Sequence, residues 1–208
     1  MSDLGNQSNI TKVKQIVSNP SAIGLFGLAM VTFVASSQKL GFTEGTALVI
    51  PWAIFLGACA QIFAAINDSK LGNTFGATAF GGYGFFWLAM AFSWMTQNGV
   101  FGPEMAANAD TKQLAVAFIG YLIFSLYMTV GSMSTNKMLF IIFVLIDFLF
   151  IGLSLSVLGI AKEPMHMFAA VSEFLIALVG FYGSGAVLLN EQYGKVILPL
   201  GKPFNVFK

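Results

Sequence analysis

The sequence predicts an all-α polytopic membrane protein, a bundle of six transmembrane helices. Three observations carry that prediction. Of 208 residues, 57% are hydrophobic and 9% charged, where a soluble domain carries roughly 25% charged residues. Mean hydropathy is +0.80. Charges divide the chain into long uncharged runs, close to the roughly 20 apolar residues that a spanning helix needs. The same composition excludes other classes. Cys59 is the only cysteine, so no intrachain disulfide and no cysteine-based zinc site can form. The formal net charge of +1 offers no basic field for nucleic acid. All ten basic residues are lysines, which removes bidentate arginine clamps on carboxylate or phosphate.

The spans follow in order. Lys14 and Lys39 bracket the first, centred on Ala22–Ser37, which reads as a retained helix, not a cleaved leader. Glu44 and Asp68 bracket the second, Thr46–Ile66. The third lies between Lys70 and Glu104, with its apolar part over Thr74–Met95. Leu114–Met133 is the fourth. The fifth runs from Lys137 to Lys162 with Asp147 inside it, and the sixth from Glu163 to Glu191 with Glu173 inside it. The whole of 1–208 is thus one six-helix domain, with a polar segment over 1–18 and a tail over 191–208. Six spans put both termini on one face, with Lys12, Lys14, Lys70, Lys137, Lys195, Lys202 and Lys208; the other face holds Lys39, Lys112 and Lys162. The lysine-rich face is assigned to the cytoplasm. The loop over 96–113 then lies outside, with Asn98-Gly99 and Gly102-Pro103 as turn signals.

Small residues recur at helical spacing: Gly57, Ala60 and Ala64 in the second span, Gly180 and Gly183 in the sixth. Such positions let helix backbones approach closely in lipid. Gly81, Gly82 and Gly84 are denser, and each weakens a helix by about 1 kcal/mol relative to alanine. Irregular backbone in a membrane survives only inside protein or beside a water path. Phe80, Tyr83 and Trp87 share one helical face beside these glycines. That face reads either as a narrow gate or as a lipid-facing or packed aromatic stripe.

Few residues could carry reaction chemistry. His166 is the only histidine, so a multi-ligand metal site has no donors. Gly183-Ser184-Gly185 lacks the G-x-S-G order and a buried histidine base, which argues against intramembrane proteolysis. No G-x-x-x-x-G-K-[ST] loop is present for a nucleotide. The chain reads as a non-enzyme with no cofactor. Asp147 and Glu173 are the two carboxylates inside spans. A charge at a helix centre costs about 2.5–3.5 kcal/mol on insertion scales. No lysine lies at comparable depth in the sequence, so both are candidates either for a proton-linked role or for structural hydrogen bonds.

Three stretches together resemble one family. They are Asn19-Pro20-Ser21-Ala22-Ile23-Gly24-Leu25; Ala60-Gln61-Ile62-Phe63-Ala64 with Gly72-Asn73-Thr74-Phe75-Gly76 and Thr78-Ala79-Phe80; and Leu189-Asn190-Glu191-Gln192-Tyr193-Gly194. The chain resembles the acetate uptake transporter family, the succinate–acetate permeases, over nearly its whole length. Ser21, Ala22 and Ile23 depart from the family's N-P-[AG]-P-L-G-L signature.

The resemblance implies a six-helix pore, similar in plan to a urea channel, assembled as a homohexamer in the plasma membrane, with acetate, and succinate as a further candidate, as substrate. It places the narrowest point at Leu28, Tyr83 and Ile146, with Leu28 smaller than the aromatic side chain that relatives carry there. Relatives are uncharged at the position of Asp147 and small at that of Glu173, so it assigns neither a role. Neutral groups then have to hold the anion. Asn19, Gln61, Asn73 and Thr78, with Phe80 beside them, are the candidate contacts, together with backbone amides at helix starts. Pro20 suits a first helical turn with Asn19 as its cap. The rival readings on the same architecture are a channel for a small neutral solute or ammonium, and a membrane sensor that binds acetate without moving it.

Overall fold

A computed structural model of the chain describes residues 18–204 and 206. Residues 1–17, and with them Lys12 and Lys14, lie outside the described residues, as does Lys208. Among the described residues, six helices are long and apolar enough to cross a membrane: Ser21–Lys39, Val49–Lys70, Thr74–Gln97, Lys112–Ser132, Lys137–Val157 and Lys162–Gln192. We call them spans one to six. Each matches its predicted run to within a few residues at most ends, because lysines and turn glycines mark where the chain leaves the apolar layer. Gly99 and Gly102 take φ of +74° and +102° in the loop after span three, where a short helix, Pro103–Ala107, intervenes.

The six spans close into a ring in chain order, with span six packed against both span one and span five. Spans three and four touch mainly through aromatic side chains: Phe86 meets Tyr121 edge-on at 4.9 Å between ring centroids, and Tyr83 meets Phe124 at 5.3 Å. The core therefore lies along the ring's axis, with Leu28, Tyr83, Trp87, Ile146, Phe150 and Ile176 all buried.

Two expectations change here. The first concerns the glycines of span three, which is a continuous α-helix through Gly81, Gly82 and Gly84. A Cβ on Gly82 would lie 2.5 Å from Phe124 Cζ, and one on Gly84 would lie 2.8 Å from Ile62 Cγ1. These glycines admit neighbouring side chains. The irregular backbone is instead in span two, where Ala53–Ala60 widens into π-helix between α-helical ends. There the Gln61 side-chain amide donates to the Gly57 carbonyl at 2.8 Å.

The second concerns Glu173, which does have a lysine. Lys39 Nζ lies 2.9 Å from Glu173 Oε2, and the carboxylate side chain is 2% exposed. The physical reason is length. Span six has 31 residues against 19 in span one, so at about 1.5 Å per residue it outruns the ~30 Å hydrocarbon layer. Glu173, twelfth in span six, stands level with the end of span one, where Lys39 is the last residue. The pair is far apart in sequence and adjacent in space.

Candidate functional site

The site begins with three asparagines. Spans one, three and five all start on the same side of the bundle, and each start has an asparagine side chain folded onto backbone amides. Asn19 Oδ1 accepts from the Ser21 amide at 3.0 Å, Asn73 Oδ1 from Gly76 at 3.1 Å and Asn136 Oδ1 from Leu139 at 2.9 Å. All three asparagines line one cavity of about 270 Å³. Helix starts carry partial positive charge and unsatisfied amides, so three of them around one mouth favour a small anion although no lysine lines the cavity.

The corner between spans two and three explains the Gly-Asn-x-x-Gly pattern. Gly72 takes φ +73°, which makes the turn. Asn73 caps span three and donates through Nδ2 to Asp68 Oδ1 at 2.9 Å. Gly76 leaves room for the Asp68 carboxylate, which any Cβ there would strike. Asp68 itself is 2% exposed.

From the mouth the cavity narrows with depth. Leu28 lies nine residues beyond Asn19; Tyr83 and Ile146 lie ten beyond Asn73 and Asn136. At about 1.5 Å per residue the three side chains stand ~15 Å inside, near the middle of the bilayer. Leu28, Tyr83 and Ile146 also line a second space of about 10 Å³, shared with Thr32, Trp87 and Phe150. They are the partition between the two. Leu25, Phe80 and Phe143 stand one turn nearer the mouth in the first cavity.

Of the candidate contacts, Asn19, Gln61, Asn73 and Phe80 all line the cavity. Their amide nitrogens are already partly engaged: Asn19 Nδ2 donates to Glu191 Oε1 at 2.5 Å, Gln61 Nε2 to Gly57 and Asn73 Nδ2 to Asp68. Each keeps a second hydrogen. Thr78 is a correction. It is exposed and borders a shallow groove on the outside of span three with Ser69, Gly72, Thr74 and Ala77. It follows Gly76, which lines the cavity, by two residues, or about 200° around a 3.6-residue helix, so it faces away. Asp147 is buried behind the partition; Thr129 donates to its Oδ2 at 2.7 Å. Glu173 is held by Lys39 and lines none of these spaces.

Sequence reasoning missed Asn136 and Asp68. Asn136 stands one residue before the apolar run that begins at Met138, the usual signature of a capping residue, and so was legible. Asp68 had no such signal; as a charge at the end of a span it reads as a solvated boundary. The tail was also missed as a wall. Asn190 Oδ1 accepts from the Ile197 and Leu198 amides at 2.6 and 3.0 Å, the Leu200 carbonyl accepts from the Met138 amide at 3.0 Å, and the Leu200 side chain lines the cavity.

Comparison with known proteins agrees with this architecture. Residues 5–202 match the model of the GPR1/FUN34/yaaH family. The chain is 30% identical over 188 residues to the succinate-acetate/proton symporter SatP of Escherichia coli (strain K12), covering 89% of this chain and 96% of that protein. It is 27% identical over 197 residues to ammonia transport outward protein 2 of Saccharomyces cerevisiae, covering 90% of this chain and 68% of that one. The solved structure of the bacterial acetate channel SatP superposes with a TM-score of 0.83 at 28% identity, covering 89% of this chain and all of that one. Six apolar helices closed around capped odd-numbered starts, and a sequence match over nearly the whole chain, lead to one conclusion: this multi-pass membrane protein belongs to the GPR1/FUN34/yaaH family.

Proposed function

We propose that the chain conducts acetate and related short monocarboxylates across the membrane, each subunit through its own bundle. The observation that carries this reading is the axial arrangement: three asparagine-capped helix starts around one cavity, closed at mid-depth by Leu28, Tyr83 and Ile146. The helix starts attract the carboxylate. The second amide hydrogens of Asn19, Gln61 and Asn73 donate to its oxygens. The apolar throat admits a small monoanion, or the neutral acid, more readily than a dianion such as succinate, because each further charge that loses water there adds a large penalty. Apolar constrictions of this kind also gate by dewetting. The chain acts as a single six-span domain in the plasma membrane, with the mouth, the tail and both termini cytoplasmic by lysine placement, and assembles as a homohexamer.

A second reading, a path for ammonia, has one observation in its favour. The space beyond the throat is lined by Trp87 and Phe150 and holds about 10 Å³, which suits a small neutral solute, and one relative is named for ammonia transport. Flux into proteoliposomes containing the purified protein separates the readings. Entry of labelled acetate above that in empty liposomes supports conduction. Ammonia-driven internal alkalinisation without acetate entry supports the second reading. Acetate binding without flux makes the protein a sensor.

A further inference from the structure

Among the described residues, four buried side-chain oxygens lack a hydrogen-bond partner: Asp68 Oδ2, Tyr83 Oη, Ser125 Oγ and Asp147 Oδ1. Three of these belong to one neighbourhood, where spans three, four and five meet behind the throat. The Ser125 hydroxyl lies beside the Tyr83 hydroxyl, and the Asp147 carboxylate is within electrostatic reach of it. Ser125 and Thr129 are one turn apart on span four, and Thr129 donates to the other carboxylate oxygen, Oδ2, at 2.7 Å. Tyr83, Ser125 and Asp147 are 5%, 0% and 7% exposed. The adjacent Tyr121 hydroxyl is not available to them, since it donates to the Gly82 carbonyl at 3.0 Å.

A buried polar group without a partner is costly, and native structures rarely leave several together. Here the donors and acceptors match. We propose that Ser125 and Asp147 are positioning residues for the throat: the Tyr83 hydroxyl donates to Ser125 Oγ, the Ser125 hydroxyl donates to Asp147 Oδ1 directly or through one bound water, and Thr129 closes the chain at Oδ2. The network fixes the tilt of the Tyr83 ring, which otherwise meets the rings of Phe124, Phe143 and Tyr121 at 5.3, 6.0 and 6.4 Å between centroids, with the Tyr121 hydroxyl turned to the Gly82 carbonyl. Ser125 and Asp147 line neither space along the axis, so they set the throat's width without touching what passes. This rests on the reading of Tyr83 as a throat residue.

The test compares initial uptake of labelled lactate and acetate in proteoliposomes. Ser125→Ala and Asp147→Leu, each freeing the ring, are expected to raise the lactate-to-acetate ratio about fivefold, the change that one net hydrogen bond makes to an equilibrium. Ser125→Thr and Asp147→Asn, which keep a hydroxyl and an acceptor oxygen in place, are expected to stay near the wild-type ratio. On a Tyr83→Phe background neither disruptive substitution should move the ratio further, whereas a general packing defect would move it on both backgrounds. If Asp147→Leu does not reach the membrane, Ser125→Ala, the loss of one oxygen, carries the test. Folded Ser125→Ala with the wild-type ratio overturns the proposal, and so does an equal shift with and without the Tyr83 hydroxyl. If the wild type moves no acetate, the conduction reading fails by itself. Thermal melting of the same Tyr83→Phe and Ser125→Ala double-mutant cycle then decides the network, with additive losses overturning it and non-additive ones upholding it.

Discussion

On the mouth side of Leu28, Tyr83 and Ile146 the bundle leaves about 270 Å³ bordered by asparagines; on the far side the same three residues face about 10 Å³ among Trp87, Phe150 and Ile176. The two regions are built from the same helices and differ in what fills the axis. Near the mouth, helix starts bring amides and capping side chains inward, and these need water or a polar solute to satisfy them. Beyond the throat the helix interiors present no free backbone groups, and large aromatic rings close the space. Phe86 meets Phe150 edge-on at 5.2 Å and Trp87 at 5.3 Å between centroids. The polar lining of this axis therefore comes from helix ends, and its closure from helix middles.

The largest way to break the contrast is to remove the partition. Tyr83→Ala merges the two spaces and deletes a buried aromatic contact, a change that costs about 3–5 kcal/mol in well-packed cores. The lactate-to-acetate uptake ratio is expected to rise about tenfold, the lower end of what one group's worth of steric exclusion provides, with a lower melting temperature in detergent. An unchanged ratio would remove Tyr83 from the throat.

Next in size is the mouth's corner. Asp68→Leu strips Asn73 of its carboxylate partner beside Gly76 and is expected to lower stability by about 1–3 kcal/mol, read as a fall in the melting midpoint. If Asp68 is only a solvated boundary charge, the midpoint will not move.

A finer probe separates capping from charge. Asn136→Asp keeps a good cap but adds a negative charge at the mouth. Melting should match wild type, while acetate uptake at subsaturating concentration falls by about two- to fivefold, the scale of a charge at a helix terminus. Equal uptake by the two proteins would mean that the helix starts do not draw in the anion.

The smallest expected effect is at Thr78. Thr78→Val should leave acetate uptake at the wild-type rate and stability within about 0.5 kcal/mol, as for surface changes that touch nothing specific. A clear loss of uptake would return Thr78 to the path.

The residues that were legible and those that were not differ in a physical way. Asn19 as a cap and the shared face of Phe80, Tyr83 and Trp87 follow from local spacing. Thr78 was misplaced because a resemblance supplies the residue while its orientation depends on which face of span three turns inward. In a soluble helix the apolar stripe would mark that face. In lipid both the core and the surroundings are apolar, so periodicity no longer separates inside from outside. The glycines at 81, 82 and 84 were open to two readings for the same reason, and the purpose of Gly82 and Gly84 became clear only from Phe124 and Ile62 lying against them.

By itself the sequence determined the number of spans, their limits and the family, since each is a matter of composition and of motifs within a few residues. It also determined that the site would have to hold an anion with neutral groups, because no arginine exists and lysines fall only at the ends of spans. Tertiary structure decided which distant groups meet. Lys39 reaches Glu173 across 134 residues, Leu200 of the tail joins the cavity wall, and Tyr83, Ser125 and Asp147 gather behind the throat from three different helices. Helix lengths and ring closure set those meetings. A carboxylate's partner is fixed by the level at which its helix stands beside its neighbours, and no stretch of sequence around the residue encodes that level.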